Sequence, residues 1–131
     1  MALLNGNMQT LKDYRAQLMG AVTSISMSPD QSGFMVGTGE SNRYFVTTGW
    51  DVELRATCHS GPVNDICFPQ GCSELFITSS NNDIRIWNAS LRQELLRIQV
   101  PNLDCACIGI TPNGGTIVSG WTDGKVRALS L

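Results

Sequence analysis

Large apolar residues alternate with small or polar ones in three runs spread evenly along the chain: Val22-Thr-Ser-Ile25-Ser-Met27, Val63-Asn-Asp-Ile66-Cys-Phe68 and Cys105-Ala-Cys-Ile108-Gly-Ile110. A period of two is what a β-strand requires, because successive side chains point to opposite faces. Ile25 and Met27, Ile66 and Phe68, and Ile108 and Ile110 define one face. Ser24 and Ser26, Asp65 and Cys67, and Cys107 and Gly109 define the other, small enough to fit closely against a neighbour. Each run leads into a turn, Ser28-Pro29-Asp30, Pro69-Gln70-Gly71 or Thr111-Pro112-Asn113-Gly114-Gly115. There proline presets φ and Gly or Asn accepts positive φ, so tight hairpins are expected. Second strands are predicted at 34–37, 75–78 and 116–119, third strands at 43–47, 84–87 and 125–129, and an outer strand at 94–100.

The runs start at Val22, Val63 and Cys105, 41 and 42 residues apart. Four short strands repeating every 40–45 residues or so resemble the WD-repeat propeller family. The expected fold is therefore all-β: a partial WD-repeat β-propeller of about three four-stranded antiparallel blades. The units are 21–61, 62–104 (the most complete) and 105–131, which lacks its last strand. Residues 1–20 read as the end of a preceding blade, with Leu4 at the place of Trp87 and an outermost strand over 14–18. A short amphipathic helix over 8–18 is the alternative, since that stretch holds good helix formers.

The resemblance implies a hydrogen-bonded tetrad within a blade, made by a His before the first strand, a Ser or Thr on the second, an Asp in the next turn and a Trp on the third. Buried indole and hydroxyl groups must find partners, each satisfied bond contributing about 1 kcal/mol. In the middle unit His59 and Trp87 occupy the outer places, Thr78 (or Ser79) supplies the hydroxyl, and Asn81 or Asn82 stands where Asp is usual. Charge-assisted bonding is expected to be lost there. The third unit keeps Ser119 and Asp123 but has Leu129 at the Trp place; the first keeps neither Asp nor Trp. Trp50, in Gly49-Trp50-Asp51, falls too late for the repeat register and is assigned to the loop between third and fourth strands. It is a candidate exposed contact, or else folds back on its own blade.

The runs GAVTSISM (20–27), VGTGES (36–41), VNDICFPQGCSELF (63–76), ELLRIQVPN (94–102) and GWTDGKVRA (120–128) resemble a family of WD-repeat proteins with two consecutive propellers, found in motile cilia. The resemblance implies a structural role inside axonemal doublet microtubules, with tubulin and other microtubule inner proteins as partners. Members of that family are several times longer, so it also implies that this chain is a piece of about three blades and that Met1 need not be the natural start. Three blades cannot close a ring, so the piece is expected to belong to a larger assembly or to associate through its open apolar faces.

Composition narrows the alternatives. The net charge is −2, with no run of Lys or Arg, which removes the electrostatic footprint of a nucleic-acid or anionic-membrane binder. The N-terminus lacks signal-peptide features, and no apolar run approaches the roughly 18 residues of a membrane span; a soluble, intracellular protein is expected. Five cysteines cannot all pair within one chain and read as buried, reduced thiols. An enzyme is not expected. His59 is the sole histidine, Cys105-Ala106-Cys107 puts two thiols on one strand face without further ligands for zinc, and Asp65 is a single carboxylate where hydrolysis needs two. The loop 37–42 is glycine-rich but lacks the Gly-Lys-Ser/Thr of a phosphate loop. No cofactor is implied. A scaffold is the leading reading, and a general adaptor of a ubiquitin-ligase or signalling complex is the rival.

Overall fold

The computed structural model describes residues 2–4, 10–13, 18, 20–57, 59 and 61–130. Among these it is all-β, with twelve strands and no helix. β1 (Ala2–Leu4) pairs antiparallel with β2 (Thr10–Asp13). β3 (Val22–Met27), β4 (Gly33–Thr38), β5 (Asn42–Thr47) and β6 (Val52–Thr57) form a four-stranded meander. β7 (Asp65–Cys67), β8 (Leu75–Ser79), β9 (Asn81–Asn88), β10 (Gln93–Ile110), β11 (Thr116–Trp121) and β12 (Val126–Ser130) follow in one six-stranded sheet. All pairings are antiparallel, as short turns between sequential strands demand.

The strands predicted from period-two alternation are present, with three adjustments. The outer strand expected at 94–100 does not stop: β10 runs 18 residues, pairing with β9 through its first half and with β11 through its second. It bends where Asn102 takes φ 64° and pairing with β9 skips from Gln99 to Asp104. The middle and last units therefore share a strand. Near the N-terminus the second strand is Thr10–Asp13, so the helical alternative over 8–18 does not hold there; of the strand placed at 14–18, residues 14–17 lie outside the described residues. Lastly, Cys105 and Cys107 do not share surroundings, because a bulge between them breaks the alternation. Cys105 is buried and Cys107 exposed.

Two apolar clusters of the core sit between successive units. Met35, with half-buried Phe45, packs against Ile66, Phe76 and Trp87 of the next unit. Ile77 and Ile86 pack against Ile117 and half-buried Ile108, Ile110 and Leu129 of the last. Close approach of the inner strands needs the small residues seen in the sequence. A Cβ on Gly37 would lie 2.5 Å from both Val63 Cγ1 and Ser24 Oγ. Polar ties repeat with the period: Thr23 Oγ1 donates to the Val63 carbonyl and Asn64 Nδ2 to the Cys105 carbonyl. Asp65 accepts from the Ile108 N–H at 2.9 Å, so that acid joins two units.

The first unit buries Phe34, Val36, Tyr44 and Val46 in a cluster with half-buried Leu18 and Trp50, but its first strand stays open on one face. Ile66, on the face turned to the preceding unit, is 2% exposed. Ile25 and Met27, at the corresponding places of β3, are 53% and 55% exposed.

Candidate functional site

The middle unit assembles a buried polar chain at the strand end that carries the β6–β7 connection and the β8–β9 turn. The Trp87 indole N–H donates to Thr78 Oγ1 at 2.9 Å. Thr78 Oγ1 lies 2.6 Å from His59 Nε2, and His59 Nδ1 lies 2.8 Å from Asp83 Oδ1. The hydrogen bonds fix the tautomer: Thr78 has already accepted from Trp87, so its hydroxyl donates to Nε2 and Nδ1–H donates to the carboxylate. Asp83 Oδ2 accepts from Arg85 Nε at 2.9 Å, and the Glu94 carboxylate, 3.9 Å from Arg85 Nε, takes a two-point contact from Arg97 at the surface. Burial pushes the His59 pKa down to about 4, against the opposing pull of Asp83. The imidazole is neutral at physiological pH and fully engaged, with neither nitrogen open to a substrate proton.

The acid of this chain is Asp83, and Asn81 does not occupy that place. β9 already begins at Asn81, so Asp83, Arg85 and Trp87 stand at alternate positions on one face, toward His59 and Thr78. Asn82 takes φ 73° at the turn, and the Asn81 side chain is exposed. The expected loss of a charge-assisted bond is corrected accordingly.

In the last unit Ser119 is buried and receives the Trp121 indole N–H at 2.8 Å, while its own hydroxyl donates to the Arg127 carbonyl at 3.1 Å. Asp123 is exposed and pairs with Arg127 at 2.8 Å; that hydrogen bond holds its pKa down to about 2. Ser119 and Asp123 thus meet through Arg127. Trp121 takes the indole's part from the second strand, which sequence reasoning missed because it looked for an indole on the third. Trp50 is folded back: half-buried at φ 68°, its ring meets Phe34 edge-on at 5.4 Å, so the exposed-contact reading is corrected.

One central residue had no sequence signal. Arg43, 1% exposed, lays its guanidinium 4.1 Å from the centre of the Trp87 ring and 5.2 Å from that of Phe76, across the boundary between units. Among the described residues no cluster of three or more potential metal ligands occurs. Cys67 and Cys105 have thiols pushed up by burial to about 12 and about 11, which leaves them unreactive.

Against known families, the WD domain, G-beta repeat matches residues 52–88, the span from β6 through β9 that holds this polar chain. Residues 52–88 are a WD repeat. The all-β arrangement of β3–β12 is consistent with a partial WD propeller whose units are blades, the matched repeat being offset from the sheet and joining the outer strand of one blade to three strands of the next. The chain is 46% identical to human cilia- and flagella-associated protein 52 over 117 residues, 88% of this chain and 19% of that protein. It is 40% identical to the Chlamydomonas reinhardtii protein of the same name over 133 residues, 95% of this chain and 22% of that one. Mouse WD repeat-containing protein 90 is 27% identical over 122 residues, 87% of the chain and 6% of the relative. The chain spans about a fifth of the ciliary relatives it matches.

Proposed function

We propose that this WD-repeat chain is part of a non-catalytic scaffold of the ciliary axoneme, lying inside the doublet microtubule against tubulin and other inner proteins. The observation that carries the reading is the 40–46% identity to proteins named for cilia and flagella, in a human and an alga, across nearly the whole chain. Internal chemistry agrees with it. His59, Asp65 and Asp83, the groups an enzyme would use, are spent on bonds within and between blades. Axonemes extracted with high salt test the reading: a longer protein carrying this sequence remains with the doublets, and its loss weakens them. Recovery in the soluble ciliary matrix alone refutes the reading.

A further inference from the structure

The strand ends opposite the His59 chain carry the hairpin turns β3–β4, β5–β6, β7–β8, β9–β10 and β10–β11, and adjacent blades part there into two clefts. The first, about 250 Å³, has Met35, Phe45 and Phe68 in its lining together with Asp30, Glu53 and Arg92. The second, about 180 Å³, is apolar, lined by Cys72, Leu75, Ile86, Ile110 and Pro112 among others. A shallow hollow over Phe68, Pro69, Ile110 and Pro112 shares residues with both, so the clefts open onto one surface. Each lies between two blades that are both present, which makes it a property of this chain's own packing.

We propose that this surface docks an extended segment of a partner protein, seating an aliphatic side chain in the second cleft and a Lys or Arg against Asp30 and Glu53 in the first. Three features define that occupant. The second cleft offers aliphatic walls, a proline and a thiol, a lining that selects an uncharged branched side chain. The first has two carboxylates against one guanidinium, so a cation gains more there than an anion. Its geometry is also preformed. Asp30 Oδ1 accepts from the Ser28 hydroxyl and from both the amide and hydroxyl of Ser32, which keeps the carboxylate ionised with a pKa of about 2. The Asp30 N–H donates to Ser73 Oγ at 2.9 Å and ties the turns of adjacent blades together. Little ordering is left to oppose binding.

The proposal rests on the scaffold reading, but its test is independent of ciliary location. A displayed library of random linear peptides is panned on the full chain. Enriched peptides should share an aliphatic residue and a Lys or Arg, and should weaken about fivefold with Asp30→Asn and about tenfold with Cys72→Phe, which plugs the second cleft. In the unaltered chain a bound peptide should slow iodoacetamide alkylation of half-buried Cys72 and leave exposed Cys107 unchanged, a control that needs no variant. No enrichment, an acidic consensus, or equal protection of both thiols overturns the proposal. So does protection of Cys72 that rises with chain concentration alone, which would mean that a second copy fills the cleft.

Discussion

Replacing Asp83 and replacing Asn81 should have opposite weights, and the pair of substitutions tests the reassigned acid. Asp83 is 4% exposed and receives two bonds, from His59 at 2.8 Å and from Arg85 at 2.9 Å. Asp83→Ala removes both, strands the His59 N–H in a buried site and leaves the Arg85 charge without its closest carboxylate. Hydrogen bonds to a charged group contribute about 1.5–3 kcal/mol each, and breaking a buried ion pair costs about 3–5 kcal/mol. The expected loss is about 3–4 kcal/mol, a large share of the stability of a small β-protein. Asp83→Asn keeps an acceptor for His59 but no charge for Arg85, and should cost about half as much. Asn81→Ala, at an exposed position, should stay within about 0.5 kcal/mol. Urea unfolding followed by tryptophan fluorescence at one fixed chain concentration measures all three. A loss above about 1.5 kcal/mol for Asn81→Ala, together with less than 1 for Asp83→Ala, would refute the assignment.

Four further outcomes follow from the same geometry. Because the folded His59 pKa is about 4 against an ordinary 6.5, the unfolded imidazole takes up a proton that the folded one refuses; stability holds above pH 6.5 and falls by up to about 3 kcal/mol as pH drops through 6.5 toward 4, and His59→Gln should remove that slope in urea titrations at each pH. Arg43→Met keeps the aliphatic packing but not the charge over Trp87 and Phe76, and should cost about 1–2 kcal/mol in the same urea assay. Gly37→Ala forces a methyl into Val63 and Ser24 and should cost about 2 kcal/mol or more, whereas Gly109→Ala, whose Cβ meets nothing within 4 Å, should cost under about 1 by thermal melting. Light scattering of the isolated chain should show association that Ile25→Thr with Met27→Thr reduces, since those side chains are the exposed counterparts of buried Ile66 and half-buried Phe68.

The strands were legible because alternation and a 41–42-residue repeat are both written locally. The acid was misplaced for an instructive reason. Fixed spacing from the family pattern pointed at Asn81, while alternation back from Trp87 puts Arg85 and Asp83 on the indole's own face, and the structure follows the alternation. Trp121 escaped for the converse reason: Ser119 sits two residues before it on the same strand face, but the pattern called for an indole one strand later. Arg43 carries no local sign at all. Its burial depends on Phe76 and Trp87, which reach it only once two blades have packed. The length of β10 was hidden by Pro101-Asn102, which reads as a break but acts as a bend.

The offset between repeat and blade says where this chain can vary without losing its shape. The matched span runs from β6 to β9, so one repeat fastens the outer strand of a blade to the inner strands of the next, and the His59 chain lies at that joint. Arg43 from the preceding blade is stacked on the same Trp87 that closes the chain, and Asp65 ties the blade of Trp87 onward to Ile108. Damage at the joint therefore loosens two interfaces together, the nearest-neighbour coupling expected of a repeat array. The turn-side clefts stand at the other end of the same strands, held by Asp30, Ser32 and Ser73. A substitution at the joint should act first on stability, and one at the clefts first on partner binding, so the two classes separate when stability and association are measured on the same variants.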